Sequence, residues 1–169
     1  MLTKTYYALL AATSALPNSK SSGQTFKDKD GNTRTLYTNS NFRQYEDMGV
    51  ANLSSSIGAQ NGWLVGDGTV PPTADDYYLS GNVITSITVL SSTYKVSLEG
   101  NSYKATRTFI VQNKGSSDIT IGEIAHFAGV SYSTSSYCMA MMLRETLPTP
   151  LTLSPGASGQ IDVTITFPF

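Results

Sequence analysis

The sequence predicts an all-β protein: an antiparallel β-sandwich of about seven to eight strands, preceded by an N-terminal helix and an extended arm. Short runs in which apolar and polar residues alternate follow one another from residue 62 to the end of the chain. Turn-forming Gly, Pro, Asn and Ser separate these runs at intervals of about 8 to 12 residues. The length of 169 residues suits one such domain with an appendage.

The first segment, residues 3–16, is predicted to be a helix rather than a leader peptide. Thr3 is expected to be its N-cap and Pro17 to end it, because a hydroxyl accepts a free backbone amide and proline disrupts a helix. One face of this helix is apolar and is interpreted as an attachment interface, with these candidates: Tyr6, Leu9, Leu10 and Leu16.

Residues 18–62 are rich in Ser, Asn, Gly and Lys and have few apolar residues. The turn signal from Lys29 to Asn32 predicts a small hairpin in this arm. An arm of this composition is either partly disordered or ordered by packing on the domain or on another chain. The chain is therefore divided into an attachment region, residues 1–62, and a β-sandwich domain, residues 63–169.

Within the domain, strands are predicted at residues 63–65, 82–89, 93–99, 103–112, 118–127, 137–146, 151–153 and 160–167. Pro148 and Pro150 cannot donate to a central ladder, so they mark an edge or a crossing. Residues 137–143 are apolar on both faces and require cover on both sides. The second cover is either the N-terminal helix or a neighbouring subunit.

Charge and hydropathy restrict the partners. The net charge is −1 and the 11 basic residues are scattered, so we expect no nucleic-acid partner and no anionic membrane partner. Apolar runs are also shorter than a bilayer-spanning helix requires. With only 14% charged residues, the surface repels copies of itself weakly, which favours a homo-oligomer, although extracellular β proteins share this trait.

We predict no catalytic residue, no metal, no cofactor and no enzymatic activity, because no nucleophile and base stand at a recognisable spacing. His126, the single histidine, and Cys138, the single cysteine, are interpreted as structural. Trp63 is expected in the core, with stacking on a sugar as the alternative.

Two further groups of residues have a functional interpretation beside a structural one. Asp67, Asp75 and Asp76 fit turn capping better than calcium binding, because their spacing matches no EF-hand loop. Tyr132 and Tyr137 flank a Ser-rich loop and are candidates for a recognition surface, since tyrosine and serine supply adaptable contacts.

Strand alternation predicts a buried carboxylate. Glu123 shares its predicted face with Ile121 and Ala125, so it needs a partner in the interior. Arg107 is the first candidate for that partner and Arg144 is the second. We interpret the group as a structural ion pair rather than a catalytic acid.

Several stretches, taken together and in this order, resemble a known family: WLVGDGTVPPTADDYYL at 63–79, RTFIVQN at 107–113, ITIGEI at 119–124, LRE at 143–145 and LSPG at 153–156. They are similar to small structural proteins of tailed-bacteriophage virions, which show a VGTGTTPPTxDDYxL stretch, an RTFxN strand, an ITIxEIGL strand and a PPG turn. The resemblance spans residues 63–167. Asp67 stands where threonine or glycine is usual, and Ala125 and His126 stand where Gly-Leu is usual.

The resemblance implies a virion component that acts by protein–protein assembly with other virion proteins. A capsid decoration or head-fibre subunit is the leading interpretation, and a neck, tail or baseplate component is the alternative. A carbohydrate- or receptor-binding module is the competing class.

Overall fold

The computed structural model describes residues 1–4, 6–7, 25–36, 62–131 and 137–168. These residues form eight strands: β1 (Thr25–Lys27), β2 (Thr33–Thr35), β3 (Gly62–Gly66), β4 (Ile87–Glu99), β5 (Ser102–Asn113), β6 (Ile119–Ser131), β7 (Tyr137–Leu153) and β8 (Ser158–Pro168). Every strand pair is antiparallel, so the all-β prediction is confirmed for the described residues. None of the described segments forms a helix long and apolar enough to cross a bilayer.

Six of the strands form two three-stranded sheets. The first sheet has the order β3-β6-β7 and the second has the order β4-β5-β8, while β1 and β2 form a separate hairpin. Both large sheets contribute to one hydrophobic core, in which the rings of Trp63 and Phe109 meet edge to face at 5.3 Å. Burial of a ring such as Phe109 stabilises the fold by about 1.5 to 3 kcal/mol.

Two pairs of predicted strands each belong to one continuous strand. The runs 82–89 and 93–99 were expected to be separate strands joined by a turn, but β4 begins only at Ile87, continues through Ser91 and shifts register against β5 between Val89 and Ser91. The runs 137–146 and 151–153 likewise belong to one strand, β7, which skips residues 147–150 in its pairing with β6. β7 lies at the edge of its sheet, where the missing amides of Pro148 and Pro150 interrupt no second ladder.

A second irregularity decides where Glu123 points. The β6–β7 register shifts between Ile121 and Glu123, and both Ile121 and Ile124 contribute to the core between the sheets. Because a bulge inserts one residue, the alternation reverses after Gly122. Glu123 therefore lies on the opposite face from Ile121, so the face predicted to be shared with Ile121 is wrong, whereas Ala125 does share the face of Glu123.

One face of β7 is covered by the β1–β2 hairpin. Phe26 and Leu36 are buried against Ala140 and Met142 of β7, and Tyr6 packs at the margin of the same cluster. The hairpin predicted between residues 29 and 32 thus exists and packs on the domain. The main cover on this face is the hairpin, neither of the two covers expected from the sequence.

The other face of β7 is covered by a long connection between β3 and β4, which we call the clasp loop, residues 67–82. Leu79 of this loop is buried against Met141, with Ala125 and Phe127 of β6 completing the cluster. Cover on both faces of this part of β7 was predicted and is confirmed.

The outer edge of β7 is paired with the start of the chain. Thr3 N donates to the Met142 carbonyl at 3.1 Å, and Arg144 N donates to the Met1 carbonyl at 3.0 Å. Tyr6 N donates to the Thr3 hydroxyl at 3.4 Å. Residues 5 and 8–16 of the predicted helix lie outside the described residues.

Candidate functional site

The clasp loop is held against the first sheet by a buried arginine. Arg144 is 2% exposed and projects from β7. Its Nε donates to Glu123 Oε2 at 2.7 Å, its Nη1 to Asp76 Oδ2 at 2.5 Å and its Nη2 to the Val70 carbonyl at 2.7 Å. One guanidinium group thus joins a strand of the sheet to two points of the loop.

Glu123 completes this network from β6 and is fully buried. Its Oε1 accepts Gly81 N at 2.7 Å, and its Oε2 accepts both Ser80 N and Ser80 Oγ at 3.1 Å. Burial raises the pKa of Glu123, but the Gly81 amide and Arg144 outweigh it and hold the pKa below its usual value. The carboxylate is therefore ionised at neutral pH and bonded to both the loop and the sheet.

The aspartates of the clasp loop hold its turns. Asp76 accepts Thr73 N at 2.8 Å and Thr73 Oγ1 at 2.7 Å, and Asp67 accepts Asn82 N at 2.7 Å. Asp75 is exposed and pairs with Lys4 at 2.6 Å. No group of three potential metal-binding side chains occurs among the described residues.

Two glycines allow the loop to approach Glu123 this closely. A Cβ atom on Gly68 would lie 2.1 Å from Ser80 Oγ and 2.2 Å from Glu123 Oε1. A Cβ atom on Gly81 would lie 2.2 Å from Asp67 Oδ1. Only glycine leaves room for these contacts. This role was not predicted from the sequence, although the glycines and the paired aspartates of the loop were its signal.

Arg107 does not join this network. It lies in the second sheet, where its Nη2 donates to Ser92 Oγ at 3.0 Å and its guanidinium lies 5.7 Å from the ring of Phe109. Its Nε is buried and has no hydrogen-bond partner. The bulge at Gly122 turns Glu123 away from the core between the sheets, so Arg144, the second candidate, is the partner instead.

The remaining titratable candidates pack in or near the core. The imidazole of His126 lies 4.8 Å from the ring of Trp63, and burial, helped by the charge of Arg107, lowers its pKa to about 4. His126 is therefore neutral at pH 7. Trp63 is buried in the core, as predicted. Burial raises the pKa of the Cys138 thiol to about 12, which keeps it protonated and a poor nucleophile.

A second buried carboxylate fixes the turn of the β1–β2 hairpin. Asp28 is buried, and its carboxylate accepts Asp30 N at 3.0 Å, Asn32 N at 2.9 Å and Arg34 Nε at 2.8 Å. The turn is also attached to the first sheet, because Lys29 N donates to the Met139 carbonyl at 2.9 Å. The sequence predicted this turn but not the carboxylate that organises it.

A groove lies between this turn and the clasp loop. Its volume is about 570 Å³, and Lys29, Asp30, Val70, Tyr77 and Arg144 are among the residues that line it. One side of Tyr77 lies near the ammonium group of Lys27, 5.1 Å from the ring centroid. The groove thus brings together two loops that are far apart in the sequence.

The other predicted site residues lie outside the described residues or elsewhere in the fold. Leu9, Leu10, Leu16 and Tyr132 lie outside the described residues. Tyr137 begins β7 and pairs with Ser131. Tyr6, the remaining member of the predicted attachment face, packs on the domain itself.

Comparisons with protein-family models, with curated proteins and with solved structures give no match for this chain.

Proposed function

We propose that this chain is a non-enzymatic structural subunit of a tailed-bacteriophage virion, most readily a capsid decoration or head-fibre subunit. In this proposal the two sheets form a β-sandwich, and residues 1–62 contribute attachment to other virion proteins. A neck, tail or baseplate station is the alternative. The support comes from the sequence resemblance and from one surface of the second sheet.

That surface is an exposed row of large apolar side chains at the free end of the β4–β5 hairpin. We call it the apolar strip: Tyr94, Val96, Leu98 and Tyr103, which are between 50% and 61% exposed. Val96 pairs with Ala105, and Leu98 pairs with Tyr103, so these side chains share one face of the ladder. A contiguous apolar patch on a soluble domain typically marks an interaction site.

The apolar strip continues the core face of the second sheet. On β5, Tyr103 and Phe109 are separated by an even number of residues, so they project from the same face, and Phe109 is buried in the core. The strip therefore extends the core surface beyond the part that the first sheet covers. Partner subunits would bury it at about 25 cal/mol per Å² of apolar area.

The position of β4 also favours assembly. β4 is a 13-residue strand at the edge of its sheet, and it carries three of the four residues of the apolar strip. Exposed edge strands of this length are templates for pairing with another chain, which natural proteins usually prevent with charge or irregularity. Here the register shift lies near Leu90, away from the strip.

The titratable groups support a structural rather than a catalytic role. Glu123, Asp76 and Arg144 bond to one another and to the backbone of the clasp loop. His126 is neutral and packs on Trp63. Each of these groups thus makes a contact that stabilises the fold.

Sedimentation velocity of the full chain tests the assembly proposal. We expect the wild-type protein to form oligomers, and we expect V96D/L98D to sediment as a folded monomer because two carboxylates would have to be desolvated in the interface. The matched control is V70D, since Val70 is 60% exposed but lies on the clasp loop. A strictly monomeric wild-type protein, or oligomers that V96D/L98D leaves intact, would contradict assembly through this surface.

Whether the protein is a component of the virion requires a separate measurement. Mass spectrometry of purified phage particles should detect the chain at a fixed ratio to the major capsid protein. Its absence from particles would refute the virion proposal even if the isolated protein assembles.

A further inference from the structure

The groove between the hairpin turn and the clasp loop has two walls that are fixed independently. Asp28 fixes the turn, because its carboxylate accepts hydrogen bonds from Asp30 N and Asn32 N. Arg144 and Glu123 fasten the clasp loop from the other side. Both carboxylates and the arginine are buried, although apolar residues of similar size often give equal stability. The buried charges instead fix the geometry of the two loops that form the walls of the groove. Such preorganised walls reduce the entropy lost when a ligand binds.

The charges of the groove select against anionic ligands, because Asp30, Asp75 and Asp76 outnumber the two cations that line it. Both cations that line it already have carboxylate partners: Lys29 pairs with Asp30 at 2.6 Å, and Arg144 pairs with Asp76 at 2.5 Å. An anionic ligand would have to compete with these carboxylates for the same donors. The oxygens of Asp30 remain largely exposed and can accept hydrogen bonds from hydroxyl groups.

Apolar and aromatic residues line the rest of the groove together with polar ones, among them Thr73, Asp75 and Ser80. Tyr77 is 36% exposed, Val70 is 60% exposed, and Tyr78 lines the same groove while its ring packs on Phe127 at 5.7 Å. Aromatic rings present an apolar face and a polar tip at low cost in conformational entropy. The volume of about 570 Å³ falls within the range of small-molecule sites, roughly 300 to 1,000 Å³.

We propose that this groove binds a neutral oligosaccharide. A sugar ring has an apolar face that can lie on Tyr77 and Val70, and hydroxyl groups that can donate to the carboxylates at the rim. This chemistry matches a groove with paired charges, aromatic rings and fixed walls. The binding role is separate from assembly through the apolar strip, which lies in the other sheet, so failure of either proposal leaves the other standing.

The test begins with the full chain on an array of neutral, sialylated and sulfated glycans. Neutral glycans identified on the array are then titrated in solution by calorimetry. We expect Y77S to weaken binding by at least about tenfold and Y77F to retain it, because phenylalanine keeps the ring. Y94S is the matched control, since Tyr94 is more exposed than Tyr77 but belongs to the apolar strip.

A second variant keeps the test decisive if Y77S unfolds. V70D removes the apolar contact at an exposed position and should weaken binding while the thermal melt stays cooperative. The proposal is overturned if no neutral glycan binds, if only sulfated or sialylated glycans bind, or if binding is lost in Y94S and retained in Y77S and V70D. Selection of a peptide ligand that requires Tyr77, without any glycan, would assign the groove to a protein partner and would also overturn it.

Discussion

Replacing Arg144 by methionine is expected to destabilise the fold strongly. The variant loses three hydrogen bonds at once, to Glu123, to Asp76 and to the Val70 carbonyl. Removing one partner of a buried ion pair costs about 3 to 5 kcal/mol, because the other charge stays buried without compensation. Glu123 retains the donors of Ser80 and Gly81, so we expect a value near the lower end, about 3 kcal/mol.

The pH dependence of this loss distinguishes the ion pair from simple loss of packing. In the wild type the pKa of Glu123 is lowered, so its stabilising contribution is present above the unfolded pKa, about 4.3, and is lost as the pH falls through the lower folded value. In R144M the contribution of the cation is gone, so the pKa of Glu123 should rise from its wild-type value, while the amides of Gly81 and Ser80 still lower it. The carboxyl then takes up a proton more readily, and the difference in stability between the two proteins should shrink from pH 7 to pH 4.

Urea denaturation followed by tryptophan fluorescence measures this effect, because Trp63 is the single tryptophan and lies in the core. The matched control is K104M, which removes the exposed Lys104–Glu99 pair and should cause no measurable loss. If R144M is destabilised no more than K104M, or by the same amount at pH 7 and pH 4, the reasoning about the buried network is refuted.

Three further predictions concern other parts of the fold. G68A should lower the free energy of unfolding by about 1 to 3 kcal/mol, because its Cβ would overlap Glu123 Oε1; urea denaturation measures this, and wild-type stability would contradict the close approach. F26A and L36A should each cost about 2 to 5 kcal/mol in the same assay, because both side chains are buried against β7; a loss below about 0.5 kcal/mol would show that the hairpin is not part of the core. The pKa of His126 is lowered to about 4 in the folded state, so stability should fall as the pH drops from about 6.5 toward 4, where only the unfolded chain gains the proton. Melts across this range should show a shallower slope for H126Q, and an unchanged slope would exclude His126 as its source.

The strand content could be predicted from the sequence, because alternation and turn residues are local signals. The interruptions within β4 and β7 were misleading for the same reason. A turn was predicted near Ser91 and an edge or a crossing at Pro148, but edge strands tolerate bulges and proline, so each strand continues past these residues. Whether a strand turns back or bulges depends on its partner, which local sequence does not contain.

The ion pair shows a related limit. The burial of the Glu123 carboxylate could be predicted from its apolar neighbours. The face of the sheet on which it lies depended on the single extra residue at Gly122. Because of that bulge, the Glu123 side chain points away from the core between the sheets. Its partner is therefore Arg144 and not Arg107. The groove could not be predicted at all, because it joins the hairpin turn at Lys29 to a loop that begins about forty residues later.

Imaging of purified phage particles, at a resolution that traces strands, tests the central proposal most directly. The proposal predicts several copies of this domain related by the symmetry of the particle, with Tyr94, Val96 and Leu98 buried against a neighbouring subunit. Particles that lack the protein, or that contain it with this row of side chains facing solvent, would contradict the proposal.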